Sequence, residues 1–326
     1  MAESGALAVL STIAMLMAGL VLLYLGGEWL VRGASTAALR LGLSPLMVGM
    51  TVVAFATSTP ELAVSLDSAF AGVDDVAVGN VIGSNIANLG LVLGLSALIK
   101  PIRVQARMIR RDMPWLLLAT LFAVWCLMDG LVGRVEGLML LAGLVMFIGL
   151  NIRSAKTERV SVQEQFTHEV KERVSSLGRS WVMIAAGVIA LVVGGAVFVE
   201  AAVHIAEATG VSTAVVGLTI AAIGTSLPEL ATAIVASARG SSDICAGNIV
   251  GSNFFNLLCI LGLTAAIAPL QRGEVQMGDL YVMAGLTGLV LPFMYSGFRL
   301  GRREGALLLL CYSAYLGWMA SRATLG

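Results

Sequence analysis

The sequence contains Thr57-Ser58-Thr59-Pro60-Glu61, and the same pattern returns as Thr225-Ser226-Leu227-Pro228-Glu229. The repeat is longer than this run: residues 42–102 align without a gap with residues 210–270, and 27 of the 61 aligned positions are identical. Both copies also carry a later run of the form G-N-x-x-G-S-N-x-x-N. Polar segments duplicated inside apolar sequence are typical of membrane transporters built from two homologous halves.

The composition indicates a membrane protein. The chain of 326 residues is 58% hydrophobic and 12% charged, whereas charged residues make up about 25% of a typical soluble domain. Ten apolar segments have about the length needed to cross a bilayer. They are 6–31, 44–70, 76–99, 113–128, 132–152, 180–206, 213–237, 243–268, 277–297 and 302–320. The predicted fold class is therefore an all-α membrane protein with ten transmembrane helices.

The basic residues predict the orientation of these spans. The connections after spans 1, 3, 5, 7 and 9 hold 17 of the 20 Lys and Arg residues. The positive-inside rule therefore places these connections in the cytoplasm and both termini on the extracellular or periplasmic side of the cell (inner) membrane. Because five spans separate equivalent positions, the two halves are predicted to be inserted upside down relative to each other.

This repeat defines the predicted domain organisation. Residues 1–152 form the first five-helix repeat and residues 180–326 the second. The polar segment 153–179 joins them as a cytoplasmic linker, which is too short to have its own core. The net charge is zero, so no nucleic acid or other polyanionic partner is implied. No obligate protein partner is evident either, which leaves the lipid bilayer and the transported ions.

The repeated motif predicts a polar site inside the membrane. A proline inside a helix lacks an N–H and clashes with the carbonyl group four residues earlier, so Pro60 and Pro228 are expected to break or kink their helices and free backbone carbonyls. Hydroxyl groups and one glutamate lie directly at each break. Inverted symmetry would bring Glu61 and Glu229 together at the centre.

The candidate ligands in both motifs are hard oxygen atoms, with no His or Cys among them. Such a set suits Ca²⁺ and Na⁺ and argues against Zn²⁺ or Cu⁺. Two glutamates match the charge of one Ca²⁺ or of a small number of Na⁺ ions, and competition for shared ligands is the basis of exchange. No cofactor is expected beyond these transported ions. Asn80 and Asn248 are expected only to bridge helices, whereas a role in the site is favoured for Ser84, Ser252, Asn88 and Asn256.

At these motifs the chain resembles the cation/Ca²⁺ exchanger superfamily, and within it the prokaryotic Na⁺/Ca²⁺ exchanger branch. The H⁺/Ca²⁺ branch typically has a Gly-Asn pair where this chain has Thr-Ser. The resemblance implies that Glu61 and Glu229 bind Ca²⁺ and also serve Na⁺, with Thr57 and Thr225 as co-ligands. It further implies Na⁺ sites formed by serine hydroxyls and two alanine carbonyls, with two asparagines completing the ring: Ser58, Ser226, Ser84, Ser252, Ala54, Ala222, Asn88 and Asn256.

The same resemblance implies that spans 1 and 6 slide across the other eight to give alternating access. Their glycine pairs, Gly26-Gly27 and Gly194-Gly195, align in the repeat and fit either a sliding face or plain packing. One departure concerns K⁺: several family members, including K⁺-dependent exchangers, have an aspartate where this chain has Asn256. K⁺ transport is therefore disfavoured. Asp67 is unexplained, and either lines an outer vestibule or caps a helix end.

The leading hypothesis is a secondary active Na⁺/Ca²⁺ antiporter that exports Ca²⁺. The alternative is an H⁺/Ca²⁺ antiporter in which a glutamate alternates between protonated and Ca²⁺-bound forms. A passive cation channel would also use oxygen ligands, but inverted halves around one enclosed site suit alternating access better than a continuous pore. The sequence has no nucleotide motif and no nucleophile–base pair, so an enzyme is not expected.

Overall fold

The protein is described here by a computed structural model that covers residues 2–166, 176–208 and 222–325. The structure is almost entirely helical over these ranges. Its helices are α1 (Ala2–Leu41), α2 (Pro45–Thr57), α3 (Thr59–Phe70), α4 (Asp74–Ile99), α5 (Met113–Cys126), α6 (Arg134–Phe166), α7 (Leu177–Ala208), α8 (Ala222–Thr225), α9 (Leu227–Ala238), α10 (Ser242–Ile267), α11 (Met277–Tyr295) and α12 (Arg302–Leu325).

Six helices in the described ranges are long and apolar enough to cross a membrane, and the bent pair α2–α3 would make a seventh. The six lie in α1, α4, α6, α7, α10 and α11. The chain is therefore a multi-pass membrane protein. Of the other predicted spans, 113–128 coincides with the 14-residue helix α5, and 302–320 lies within α12. The span 213–237 falls partly outside the described residues, so the number of ten spans stays a prediction.

Helix boundaries differ from the apolar segments at two places, because hydrogen bonding continues a helix beyond the hydrocarbon region. Helix α1 runs to Leu41, ten residues past the end of the predicted span 6–31. Helix α6 continues to Phe166, so part of the predicted linker 153–179 is helical. The centre of that linker lies outside the described residues.

The repeated motif interrupts both helices that carry it. Helices α2 and α3 meet at Ser58 with a bend of 44°. Ser226 separates α8 from α9 with almost the same backbone angles as Ser58 (φ −86°, ψ 4° against φ −85°, ψ 9°). Each proline then lies in the first turn of the following helix, where its missing N–H leaves no hydrogen bond unmade. The predicted break at the motif is therefore confirmed in both halves.

The second motif leads into a local widening of its helix. The helical path of α4 includes a π-helical turn at Asn88–Val92, and α10 includes one at Phe255–Ile260. Single π-turns inside α-helices are frequent at functional sites, because they turn side chains out of the regular register. Asn88 and Asn256 both lie in these turns.

Two pairs of short strands connect the halves outside the helices. Strand β1 (Ile102–Arg103) pairs antiparallel with β4 (Arg299–Leu300), and β2 (Leu131–Val132) pairs with β3 (Leu270–Gln271). The two pairs are equivalent under the internal repeat. Each therefore joins the end of one α-repeat to the other half of the chain.

Helices α1 and α7 pack antiparallel through glycine, without space for side chains between them. A Cβ added to Gly26 would lie 2.8 Å from the carbonyl oxygen of Gly187, and one added to Gly194 would lie 3.1 Å from that of Gly19. Close backbone approach of this kind is typical of helix packing in membranes. The second glycine of each aligned pair does not face the contact between α1 and α7. A Cβ added to Gly27 would lie 3.2 Å from the carbonyl oxygen of Ala231, in α9.

The glycines of the second motif show the expected close approach in one half. A Cβ on Gly247 would lie 2.7 Å from the carbonyl oxygen of Leu46, and one on Gly251 would lie 2.6 Å from that of Met50. Helix α10 therefore lies directly against α2. The residues that align with the start of α2 in the second half, 213–221, lie outside the described residues.

An ion pair connects α1 to the end of α9 on one side of the molecule. The buried carboxylate of Glu28 is 7% exposed and accepts two hydrogen bonds from the guanidinium group of Arg239, one of them from Nε at 2.5 Å. Arg32 Nε lies 2.7 Å from the same carboxylate. Alanine occupies the equivalent positions in the other half, Ala196 and Ala71, so the repeat does not reproduce this contact.

Arg239→Gln is expected to lower the apparent melting temperature of the purified protein, because it removes the guanidinium group that donates two hydrogen bonds to the buried carboxylate of Glu28. Breaking a fully buried pair costs about 3–5 kcal/mol, and the partial exposure of Arg239 reduces this to about 1–2 kcal/mol. Arg32→Gln is the matched control, since its side chain is 56% exposed. Equal melting temperatures for the two variants in a thermal unfolding assay would show that the Arg239 contact contributes no specific stability.

Candidate functional site

Two glutamates from opposite halves form the centre of the site. Glu61 is 1% exposed and Glu229 is 0% exposed, and each lies in the first turn of the helix that follows the break. The N-terminal end of a helix carries partial positive charge, which favours a carboxylate there. The break thus places both acids at the positive ends of α3 and α9.

Serine hydroxyls join the two halves reciprocally at these glutamates. The Oγ atom of Ser58, from the first half, donates to Glu229 Oε1 at 2.9 Å. The Oγ atom of Ser226, from the second half, donates to Glu61 Oε1 at 3.4 Å. The two contacts are equivalent under the repeat, so the predicted meeting of the two motifs is observed in the structure.

The serines of the second motif lie next to this pair. Ser252 Oγ lies 3.5 Å from Glu229 Oε1, and Ser84 Oγ lies 3.3 Å from Ser226 Oγ. Both serines are buried. Helices α4 and α10 therefore supply one hydroxyl each to the centre.

Threonine hydroxyls at the breaks are held by asparagines from the opposite half. Thr57 Oγ1 donates to Asn248 Oδ1 at 3.1 Å, and Thr225 Oγ1 donates to Asn80 Oδ1 at 3.3 Å. A hydroxyl that donates its hydrogen in this way keeps its lone pairs for a cation.

Asn80 also bridges within its own half. Its Nδ2 donates to the carbonyl oxygen of Glu61 at 3.0 Å and to Ser65 Oγ at 2.9 Å. The helix-bridging role expected for Asn80 and Asn248 agrees with these contacts. Ser65 lies outside both repeated motifs, and its counterpart in the second half is Ala233, so no sequence pattern singles it out.

Six buried side-chain oxygens of the repeated motifs lack a hydrogen-bond partner within the described residues. They are Glu61 Oε2, Glu229 Oε2, Asn85 Oδ1, Asn88 Oδ1, Asn253 Oδ1 and Asn256 Oδ1. Burying such oxygens without a hydrogen bond is costly, and nearly all buried polar groups in proteins have a partner. Carboxylate and amide oxygens are the ligands that hard cations such as Ca²⁺ and Na⁺ prefer.

The remaining predicted ligands are backbone groups. The carbonyl oxygen of Ala54 accepts a helical hydrogen bond from the N–H of Ser58 at 3.0 Å, and Thr57 Oγ1 lies 3.3 Å from the same oxygen. A contact with Na⁺ would therefore have to be an additional one. Ala222 begins α8 directly after residues outside the described ranges.

The other polar residues near the motifs have different environments. Asn85 and Asn253 each donate to the carbonyl four residues earlier on their own helix at 2.7 Å. Asp67 is exposed near the end of α3 and away from the enclosed centre. The vestibule role considered for Asp67 stays a prediction.

Both halves of the chain match one family of known proteins. Residues 11–153 and 179–320 match the family described as "Sodium/calcium exchanger protein". The chain belongs to the sodium/calcium exchanger family. The two matched stretches correspond to the two halves of the internal repeat, and the resemblance to the prokaryotic branch is confirmed.

The chain matches two relatives over nearly their whole length. The inner membrane protein YrbG of Escherichia coli is 35% identical over 315 residues, which cover 94% of this chain and 97% of YrbG. The sodium/calcium exchanger MaX1 of Methanosarcina acetivorans is 33% identical over 336 residues, which cover 92% of this chain and 96% of MaX1.

Solved structures of the sodium-calcium exchanger NCX_Mj share the fold. The structure soaked with zero Na⁺ and Ca²⁺ matches with a TM-score of 0.82 at 29% identity, covering 94% of this chain and 98% of that one. The structure soaked with 2.5 mM Na⁺ and 0.1 mM Ca²⁺ matches with a TM-score of 0.81 at 30% identity, covering 94% and 97%. Family and fold together identify a membrane antiporter of the cation/Ca²⁺ class.

Proposed function

We propose that this exchanger couples Ca²⁺ transport to Na⁺, works by alternating access, and uses the Na⁺ gradient to export Ca²⁺ without K⁺. The observation that carries the proposal is the reciprocal pairing of serine and glutamate. Ser58 donates to Glu229, and Ser226 donates to Glu61, so neither half forms a complete site alone. An ion bound here has ligands from both halves, and sliding of spans 1 and 6 across the other spans changes its access.

Hydroxyl donors at both carboxylates favour Na⁺ over H⁺ as the coupled ion. A hydrogen bond donated to a carboxylate stabilises its ionised form. Ser58 and Ser252 act on Glu229, and Ser226 acts on Glu61. The neutral hydroxyl and amide oxygens around the two carboxylates suit Na⁺ as the ion that replaces Ca²⁺.

Two carboxylates also explain why the ions compete. The charge of −2 at Glu61 and Glu229 is balanced by one Ca²⁺ or by two Na⁺ ions, whereas filling the site with both kinds of ion would leave excess positive charge in a buried centre. Excess buried charge is strongly unfavourable. Exclusive occupancy is the condition for exchange, and a gradient of either ion then drives the other.

Asn256→Asp tests the proposed independence from K⁺. The change adds a carboxyl group to the enclosed centre at a position whose amide atoms have no partner in the described part of the chain. We expect altered dependence on the monovalent cation, with transport responding to K⁺ or to pH, and normal insertion. Gln271→Glu, which adds a carboxyl group at an exposed position, is the control. Unchanged Na⁺, K⁺ and pH dependence in Asn256→Asp would contradict a central position for this residue.

The coupled ion is tested with proteoliposomes that are loaded with Na⁺ and diluted into Na⁺-free medium containing Ca²⁺. A parallel set carries only a pH gradient. We expect Ca²⁺ uptake with the Na⁺ gradient and none with the pH gradient alone. Uptake driven only by the pH gradient would make the protein an H⁺/Ca²⁺ antiporter, and downhill Ca²⁺ flux that needs neither gradient would indicate a channel.

A further inference from the structure

The two halves are in closer contact on one side of the molecule than on the other. A Cβ added to Gly27 in α1 would lie 3.2 Å from the carbonyl oxygen of Ala231 in α9. Under the internal repeat, the equivalent contact would join Gly195 in α7 to Ala63 in α3. Among the described residues, however, the atoms nearest to a Cβ on Gly195 belong to α8 and α9, at 3.9 Å or more. Helix α1 therefore packs closely on α9, whereas α7 does not make the corresponding contact with α3.

The exposure of side chains agrees with this asymmetry. Val64 in α3 is 36% exposed, whereas Thr232, its counterpart in α9, is fully buried. Ala63 is exposed, whereas Ala231 is half-buried. The face of α9 is thus covered and the equivalent face of α3 is not, which is the difference expected of one access state of a transporter with inverted halves.

The ion pair of Glu28 with Arg239 lies at the closed contact and joins α1 to α9. Glu28 directly follows Gly27, and Arg239 directly follows the last residue of α9. Arg32, the other partner of Glu28, lies on the same helix, so its contact does not cross between helices. The charge distribution of the sequence places Arg239 in a cytoplasmic connection. The closed contact is therefore on the predicted cytoplasmic side.

The ion pair has no equivalent on the other side of the molecule. In the opposite access state the two halves exchange their arrangements, so that α7 packs on α3 and α1 separates from α9. The residues that would then meet are Ala196 and Ala71, which cannot form an ion pair. A contact that exists in only one of two states shifts the equilibrium towards that state by its own free energy.

We propose that Glu28 and Arg239 form a one-sided latch, which favours the access state closed between α1 and α9. The proposal rests on the alternating access of the proposed function, with α1 and α7 as the moving helices. The latch makes the two access states unequal in free energy although the ion-binding motifs of the two halves are nearly the same. The ion site is then accessible mainly from the extracellular or periplasmic side, and access from the cytoplasm requires that the ion pair breaks.

The test follows the opposite access state through a disulfide that this state favours. Ala63→Cys and Gly195→Cys are introduced together into the full chain, which is reconstituted in lipid with Na⁺ and Ca²⁺ present so that the loaded protein can change state. A disulfide needs Cβ atoms about 3.5–4.5 Å apart. Its initial rate of formation is measured by mass spectrometry of the linked peptides, so the four native cysteines stay in place.

Arg239→Gln in this background is expected to raise the initial rate of disulfide formation by about fivefold or more, because loss of the latch increases the population of the opposite state. Arg32→Gln is the matched control: it removes a cation from the same carboxylate but not across the moving contact. Its rate should equal that of the parent protein. Equal rates for Arg239→Gln and the parent would overturn the proposal.

A second variant keeps the test decisive if Arg239→Gln does not fold. Ala71→Arg/Ala196→Glu adds the same pair at the equivalent positions, which are exposed, and leaves the natural pair intact. We expect it to raise the rate as well, whereas Ala71→Arg alone should not, and an unchanged rate in the double variant would overturn the proposal.

The two parts of the account fail in different ways. Absence of the disulfide in every variant would overturn alternating access together with the latch. Formation at the same rate in every variant would overturn the latch and leave alternating access intact. The disulfide reports no ion flux, so neither result depends on whether Na⁺ or H⁺ is the coupled ion.

Discussion

Glu229→Gln is expected to abolish Ca²⁺ uptake by Na⁺-loaded proteoliposomes while the protein still inserts and folds. Glutamine has nearly the same shape as glutamate, so packing is preserved, but the centre keeps only one carboxylate. Removing one partner of a buried charge interaction costs about 3–5 kcal/mol, which corresponds to roughly two to four orders of magnitude in affinity. Glu61→Gln should have the same effect, because the two acids are equivalent under the repeat.

A matched control is available on the same helix as Glu61. Asp67→Asn also removes one acidic charge from α3, but Asp67 is exposed and has no place in the enclosed centre. We expect it to retain Ca²⁺ transport. Folding of every variant is checked by size-exclusion chromatography and thermal unfolding. Normal Ca²⁺ uptake by either glutamine variant would show that the ion site lies elsewhere.

Replacing both reciprocal serines is expected to separate Na⁺ from Ca²⁺. Ser58→Ala/Ser226→Ala removes two hydroxyls that donate to the glutamates, but leaves both carboxylates and their charge. A hydrogen bond to a charged group contributes about 1.5–3 kcal/mol, so the Na⁺ concentration for half-maximal exchange should rise by about tenfold or more. Ca²⁺ affinity should fall less, because the divalent ion depends more on the carboxylates.

The control for the serine variant is Thr59→Ala. Thr59 is the neighbour of Ser58, but its hydroxyl is exposed and donates to the carbonyl oxygen of Phe55. Its Na⁺ and Ca²⁺ dependence should be that of the wild type. If the double serine variant instead lost Ca²⁺ and Na⁺ dependence equally, the hydroxyls would serve only to position the glutamates, and the Na⁺ sites would need other ligands.

The parts of the site that follow from the repeat could be predicted from the sequence. Proline chemistry predicted the breaks, and the odd number of spans between Glu61 and Glu229 predicted inverted halves whose motifs meet. These inferences need only local chemistry and symmetry. The contacts of Ser58 and Ser226 with the opposite glutamates are the direct structural counterpart of that reasoning.

Features that break the repeat, or depend on helix rotation, could not be predicted. The ion pair of Glu28 with Arg239 joins residues far apart in the chain and has no equivalent in the other half. The contacts of Asn80 with Ser65 and with the backbone of Glu61 depend on how α4 is rotated against α3. No residue pattern predicts the π-helical turns at the second motif, because the hydrogen bonds of such a turn span only one residue more than those of an α-helix.

The most direct test of the central claim is Ca²⁺ binding to the purified protein in detergent, measured by titration at increasing Na⁺ concentration. If both ions use the ligands around Glu61 and Glu229, the apparent Kd for Ca²⁺ should rise steadily with Na⁺, and K⁺ at equal ionic strength should have no such effect. Ca²⁺ binding with the same Kd at every Na⁺ concentration would contradict a shared site.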